Sequence, residues 1–399
     1  MIEIIDSAKC CGCGNCALVC PKKCIEIKED SYGYLLPEVD KIACVDCGAC
    51  EKACPVINHK NETVLDHEVY IAYAKDEEIR FNGSSGGMFG LISNFLFDKN
   101  NGQDFYVYGA AFDEGLQLKL TRADSKQDLQ SLYKSKYLQS NLNDKFPEIK
   151  KLLDNGKNVM FTATPCQVCA LKLFLKKDYE NLLTVDFVCH GVPSQSLFDK
   201  CKTYVEKKKG VTLKGYQFRA KRKNGSTPHY CKITYLKNGK ERSKVMLYTK
   251  DPFYLGFQKY ITMRDSCYEC QFSYSNRCSD ITIGDFHQVD EFIKGINRFD
   301  GVSVFVTNTQ KGKQIWESVK EFLFYHKLDA SKLIEEKGFL SGNGNVATDK
   351  RKKFLEDLKN KDFEYVVNTH LNTKKEWKKN VYYSLPRFIR KRIKKLMGV

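Results

Sequence analysis

Cys10-Cys11-Gly12-Cys13-Gly14-Asn15-Cys16-Ala17-Leu18-Val19-Cys20-Pro21, matched in spacing by Cys44-Val45-Asp46-Cys47-Gly48-Ala49-Cys50-Glu51-Lys52-Ala53-Cys54-Pro55, decides how the first part of this chain folds. Each copy reads Cx2Cx2Cx3CP, the bacterial ligand run for paired [4Fe–4S] clusters. Three closely spaced thiolates wrap three irons of one cube, and the fourth reaches across to the other cube. The spacing therefore predicts one cluster on Cys10, Cys13, Cys16 and Cys54, and a second on Cys44, Cys47, Cys50 and Cys20. The proline after each fourth cysteine turns the chain where a free N–H would otherwise need a partner. Zinc or disulfides also use even numbers of cysteines, but neither needs this spacing twice. Cys11 and Cys24 fall outside the pattern and read as spectators. Ile25-Glu26-Ile27 and Tyr34 to Val39, flanking Ser31-Tyr32-Gly33, read as a short hairpin between the two runs.

A chain of 399 residues is too long for that module alone and predicts two or three domains. Its 18 cysteines, with a start that has neither the basic residues nor the apolar run of a signal peptide, predict a reducing, cytoplasmic setting. No stretch approaches the roughly 18 apolar residues of a membrane span. The net charge of +16 is concentrated at the end. From Lys374 to Val399 ten Lys or Arg stand against one acid, Glu376, a net of +9. Ser384 and Pro386 start a helical pattern in which Leu385, Phe388, Ile389, Ile393, Leu396 and Met397 alternate with cations. Such a helix suits the anionic inner face of a membrane, and equally a solvated helix packed on the body. Nucleic acid is not an expected partner, because no binding module accompanies the charge.

Asn58 to His67 reads as a polar linker, followed by an apolar strand, Val69 to Ala74. Ser84-Ser85-Gly86-Gly87 leads into a buried helix from Met88. Free N–H groups at such a turn can take a phosphate or the polar edge of a flavin, and they serve equally as a simple cap. Val107 to Phe112 and Leu116 to Leu120 alternate like strands. Lys134-Ser135-Lys136-Tyr137 places two cations beside a hydroxyl, which suits an anionic ligand or a solvated turn. Asn158 to Thr164 and Leu182 to Val188 are strands that lead into helices. If they are parallel neighbours, Cys166 and Cys189 lie together at the carboxyl edge, where open α/β sheets place ligands. With Cys267 and Cys270 they complete four thiolates, the complement of a third [4Fe–4S] cluster. Cys278 is a substitute ligand, whereas Cys169, Cys201 and Cys231 read as packing. Helices are expected over Gln314 to Phe324 and Lys350 to Lys359.

Taken in order, the double cysteine run, Ser84 to Gly87, Lys134 to Ser140, Thr164-Pro165-Cys166-Gln167, Cys189-His190-Gly191-Val192-Pro193-Ser194, Cys267xxCys270 and Asp280 to Phe286 resemble the coenzyme F420 hydrogenase/dehydrogenase beta-subunit family. The resemblance runs up to about residue 310. It implies FAD in the central region, contacted by Ser84, Ser85, Gly86 and Gly87, with Lys134, Ser135, Lys136 and Tyr137 at its polar or phosphate end. It also implies that the N-terminal clusters wire the flavin to an outside carrier, a ferredoxin or a reduced deazaflavin. Similar ferredoxin-fused proteins occur in cell-surface polysaccharide biosynthesis. His287 stands where relatives often have tryptophan.

The expected fold class is α+β: a two-cluster ferredoxin-like domain over 1–58, then an α/β flavin and iron–sulfur domain in two parts, 69–150 and 151–310. A mainly helical extension with the basic tail follows over 311–399. The expected activity is that of an iron–sulfur flavoprotein oxidoreductase acting on an organic acceptor, with His190 as its proton-transferring residue. The alternative is a non-catalytic electron-transfer subunit of a larger complex.

Overall fold

Runs such as Val69-Tyr70-Ile71-Ala72-Tyr73-Ala74 are apolar on both faces, and a strand of that kind needs cover on both sides. The computed structural model supplies it. It describes residues 7–59, 66–142, 145–222, 229–286, 301–331, 347–385, 389–390 and 392–393. The strands are β1 (Ile25–Glu29), β2 (Leu35–Val39), β3 (Glu68–Ala74), β4 (Phe105–Phe112), β5 (Leu118–Ala123), β6 (Asn158–Thr162), β7 (Leu182–Phe187), β8 (Thr212–Phe218), β9 (Tyr230–Lys237), β10 (Lys240–Leu247), β11 (Ile281–Asp285), β12 (Ser303–Thr307) and β13 (Leu323–Leu328). Eight of them form one sheet in the order β13-β3-β12-β11-β7-β6-β4-β5. Its centre, β4, β6, β7 and β11, is parallel, and the flanks are antiparallel. The protein is thus a mixed α/β structure with a large mixed sheet and a ferredoxin-like region ahead of it.

The expected parallel pairing of β6 and β7 is present, with Phe161 opposite Thr184. The helix Pro165–Leu175 follows β6, with Thr164 as its N-cap and proline at its first position. The buried pair Asp280 and Thr184 ties β7 to the entrance of β11: Thr184 N–H and Oγ1 donate to the Asp280 carboxylate at 2.8 and 2.6 Å. Thr309 Oγ1 also donates to that carboxylate, at 2.8 Å, so Asp280 anchors the start of the next helix.

β8, β9 and β10 make a separate antiparallel sheet. It shares a core with the helix Pro252–Gln258 and with the helices Asp349–Asn360 and Phe363–His370, through Phe218, Phe253, Tyr254, Phe354 and Val366.

Two expectations change. The helix expected over Gln314 to Phe324 spans Gln310–Val319, and the chain then enters β13 on the sheet edge beside β3. A backbone partner in the tertiary structure overrides the local helical pattern there. Ser384 ends the helix Trp377–Ser384, its hydroxyl donating to the carbonyl of Val381 at 2.6 Å, rather than starting one. The expected basic helix beyond it lies mostly outside the described residues, as does His287. Among the described residues no helix is long and apolar enough to cross a membrane.

Candidate cofactor sites

Amide side chains dock the N-terminal cysteine module onto the body. Asn15, fully buried, donates from Nδ2 to the carbonyls of Ala53 (2.8 Å) and Ala170 (3.1 Å). Gln139 Nε2 donates to Cys11 and Gly12 carbonyls at 3.0 and 3.1 Å, and Gln271 Nε2 to those of Val56 (2.9 Å) and His59 (3.2 Å). The hairpin β1–β2 pairs Ile25 with Val39, as expected, and the buried Tyr34 hydroxyl reaches the carbonyl of Thr262 at 2.8 Å.

Within the module the cysteines of the two runs lie close together. The thiol of Cys16 interacts with Cys10, Cys54 and Cys50, while Cys13 meets Cys11. Cys20, Cys44, Cys47 and Cys50 line one depression together with Cys24, whose sulfur is 3.4 Å from that of Cys20. Neither Cys11 nor Cys24 is remote from these sets: Cys11 contacts both Cys13 and Cys166.

Cys166, Cys189, Cys267 and Cys270 come from three separate stretches of chain and line one cavity of about 370 Å³. Their thiols interact mutually, and Cys10 of the module lies close enough to feel Cys166. Gly191 is left-handed at φ 104°, and a Cβ there would sit 3.0 Å from that of Cys267, so glycine lets the two segments close. Burial pushes the thiol of Cys267 up to about 12 and that of Cys270 to about 11. Bare thiolates are disfavoured here unless positive charge compensates them.

Two buried arginines supply part of it. Arg264 favours the charged forms of Cys10, Cys166 and Cys267, and Arg277 that of Cys270. Arg264 donates to the Leu35 carbonyl and lies over the Tyr34 ring at 5.2 Å. Gly12 leaves room for it, since a Cβ would come within 2.5 Å of the guanidinium. The Nε atoms of both arginines are buried without a hydrogen-bond partner among the described residues. Arg277 also pairs with the buried Asp186 at 3.6 Å, so Arg264 is the less compensated of the two cations; converging thiols beside such guanidinium groups fit an anionic iron–sulfur cluster. Sequence reasoning missed both arginines; nothing in a lone arginine's neighbourhood announces its burial.

A second cavity, of about 280 Å³, gathers Ser84, Ser85, Gly87, Lys134, Ser135, Lys136 and Tyr137. Ser84 Oγ accepts from the Ser135 N–H at 2.7 Å. Gly86 is set back from the cavity lining, its N–H donating to Ser303 Oγ at 2.9 Å. Arg219 joins the two loops: it donates to Tyr137 Oη at 3.0 Å and the Ser84 carbonyl at 3.1 Å, and pairs with Asp285. Lys134 donates to the carbonyls of Phe81 (2.6 Å) and Gly83 (3.0 Å), Lys136 to that of Tyr133 (2.7 Å), and Lys221 to that of Ser85 (2.7 Å). Burial pushes all three ammonium groups down to about 7. Thr162 Oγ1 and Arg219 Nε are buried at this site without partners among the described residues, which suits a ligand with a polar edge. His190 is exposed and lines the same cavity. Thr164, Gln167, Cys189, Gly191 and Val192 line both cavities, so one wall separates them.

A cysteine-rich module docked on a mixed α/β body, with thiols aligned from its surface inward, defines an iron–sulfur electron-transfer protein. Residues 9–58 match the 4Fe-4S dicluster domain, and residues 156–330 match the C-terminal region of the coenzyme F420 hydrogenase/dehydrogenase beta subunit. Residues 156–330 are thus similar to that beta subunit's C-terminal region, and a dicluster domain precedes them. No curated protein matches it. A chain of the F420-reducing [NiFe] hydrogenase complex from Methanosarcina barkeri is 17% identical, over 79% of this chain and 92% of that one, with a TM-score of 0.42.

Proposed function

We propose that this chain is an iron–sulfur flavoprotein oxidoreductase that passes electrons between a one-electron carrier of the ferredoxin class, or a reduced deazaflavin, and an organic acceptor. Three [4Fe–4S] clusters are held by Cys10, Cys13, Cys16 and Cys54, by Cys44, Cys47, Cys50 and Cys20, and by Cys166, Cys189, Cys267 and Cys270. FAD is held by Ser84 to Gly87 and Lys134 to Tyr137. The observation that carries this reading is the wall that the thiol-lined cavity and the Ser84–Lys134 cavity share at Thr164–Gln167 and Cys189–Val192. Clusters supply single-electron transfer, and a flavin converts between single electrons and hydride.

The chain's own residues do the rest. Arg264 and Arg277 offset the negative charge of the thiolates, while Arg219 holds the Ser84 loop, Tyr137 and Asp285 in one arrangement. His190, at the open side of the cavity, can exchange a proton between acceptor and solvent. The basic tail from Lys374 places the protein at an anionic membrane surface, in keeping with an acceptor from cell-surface polysaccharide synthesis. Iron, acid-labile sulfide and extractable flavin, counted on anaerobically purified protein, test the proposal. About 12 iron atoms and one flavin per chain are expected; about eight iron atoms without flavin would make the chain a relay that depends on a partner for its acceptor.

A further inference from the structure

Cys169, on the helix Pro165–Leu175, and Cys278, just ahead of β11, form a disulfide across 109 residues of chain. They are neither packing nor a spare cluster ligand, as the sequence suggested. His59, five residues past Cys54, places Nδ1 3.6 Å from each sulfur, and its ring stacks on Phe272 at 5.0 Å. Cys169 is 5% exposed, and the pair shares an apolar cluster with Cys11, Cys13, Cys166 and Cys270, residues of two of the proposed cluster sites and the thiol between them.

That position limits what the bond can do. Exchange with another protein's thiol needs an approach to sulfur; Cys169 offers almost none, which leaves only the half-buried Cys278. In a reducing compartment, disulfides are mostly catalytic or redox-sensing. We infer that Cys169 and Cys278 are an internal two-electron redox couple on the electron path, with His59 as its proton partner. The inference rests on the iron–sulfur reading above. A low-potential one-electron donor of the iron–sulfur class delivers two electrons in succession. The S–S bond breaks, one sulfur takes a proton by way of His59, and the other remains a thiolate or takes a second proton from solvent. Reversal returns both electrons. The couple thus lets a relay of single-electron centres hold a pair beside the thiol-lined cavity.

Peptide mapping after alkylation in denaturant tests this on the anaerobic holoprotein, poised first with ferricyanide and then with dithionite and methyl viologen. The linked Cys169–Cys278 peptide is expected in the oxidised sample, and both cysteines alkylated in the reduced one. Reductive titration should consume two more electrons per chain than in Cys278→Ser or Cys169→Ala at equal iron content. The inference is overturned if both thiols alkylate in the oxidised sample, or if the linked peptide survives reduction as a purely structural bond. It is also overturned if the wild type holds one metal ion more than the variants, since His59, Cys169 and Cys278 would then be ligands. Should both variants fail to fold, the wild-type map alone decides. Because the bond is read by mass and the clusters by iron count, the two proposals fail separately.

Discussion

The Cys20/Cys44/Cys47/Cys50 site and the Cys166/Cys189/Cys267/Cys270 site offer the same four thiols in opposite surroundings. Cys47 is exposed, Val45 beside it is 57% exposed, and the charged residues lining that depression are Lys22 and Asp46. The second site faces a cavity walled by Arg277 and lies beside Arg264, each with an unsatisfied buried nitrogen. At the surface, water screens the charge of a reduced cluster; inside, fixed cations must do so. Potentials of identically ligated clusters differ for this reason.

Removing one ligand from each site is the most direct way to break that contrast. Cys267→Ser should lose about four iron atoms and lower the thermal midpoint of the whole body, because its site joins three segments of the fold. Cys47→Ser should lose its cluster and leave the body's near-ultraviolet dichroism intact. Equal destabilisation by both would erase the distinction.

Removing a buried charge sharpens it further. Arg264→Gln should lower the potential of the adjacent cluster on the order of 100 mV, the effect of one charge about 7 Å away at an effective dielectric of about 20. Lys22→Gln at the exposed site should move its potential by much less. Electron paramagnetic resonance during a redox titration reads both.

Docking of the module is expected to depend on Asn15. Asn15→Ala strands the Ala53 and Ala170 carbonyls and should cost about 1–3 kcal/mol in a denaturant melt, whereas Asn58→Ala, exposed and bonded only within the module, should cost little.

The smallest expected effect is on ligand affinity. With ammonium groups pushed down to about 7 by burial, Lys134, Lys136 and Lys221 are charged below that pH and neutral above it. FAD should therefore bind roughly tenfold more tightly at pH 6 than at pH 8, as measured by quenching of its fluorescence. A pH-independent affinity would show that no lysine charge reaches the ligand.

The dicluster module was legible because its information is local: Cys10 to Pro21 and Cys44 to Pro55 place ligands a few residues apart, where backbone geometry alone brings thiols together. Parallel β6 and β7 were legible for a similar reason, since a short strand-helix-strand unit has one common handedness and puts Cys166 and Cys189 on one edge. Local pattern was misleading at Leu323 and Phe324, where pairing with β3 outweighed helical spacing.

By itself, then, the sequence determined the double cysteine run, the strand-to-helix turns and the placing of Cys166 and Cys189 at one sheet edge, because these depend on spacing along the chain; that Cys267 and Cys270 join them was decided by the tertiary structure. Only the tertiary structure decided that Arg264, Arg277 and Arg219 are buried beside those sites, that Cys169 meets Cys278 and His59, and that one wall serves both cavities. Those facts join residues far apart in the chain, 219 positions for Cys278 and His59 and 229 for Arg264 and Leu35. What brings such residues together is packing and desolvation, which no single stretch of chain encodes.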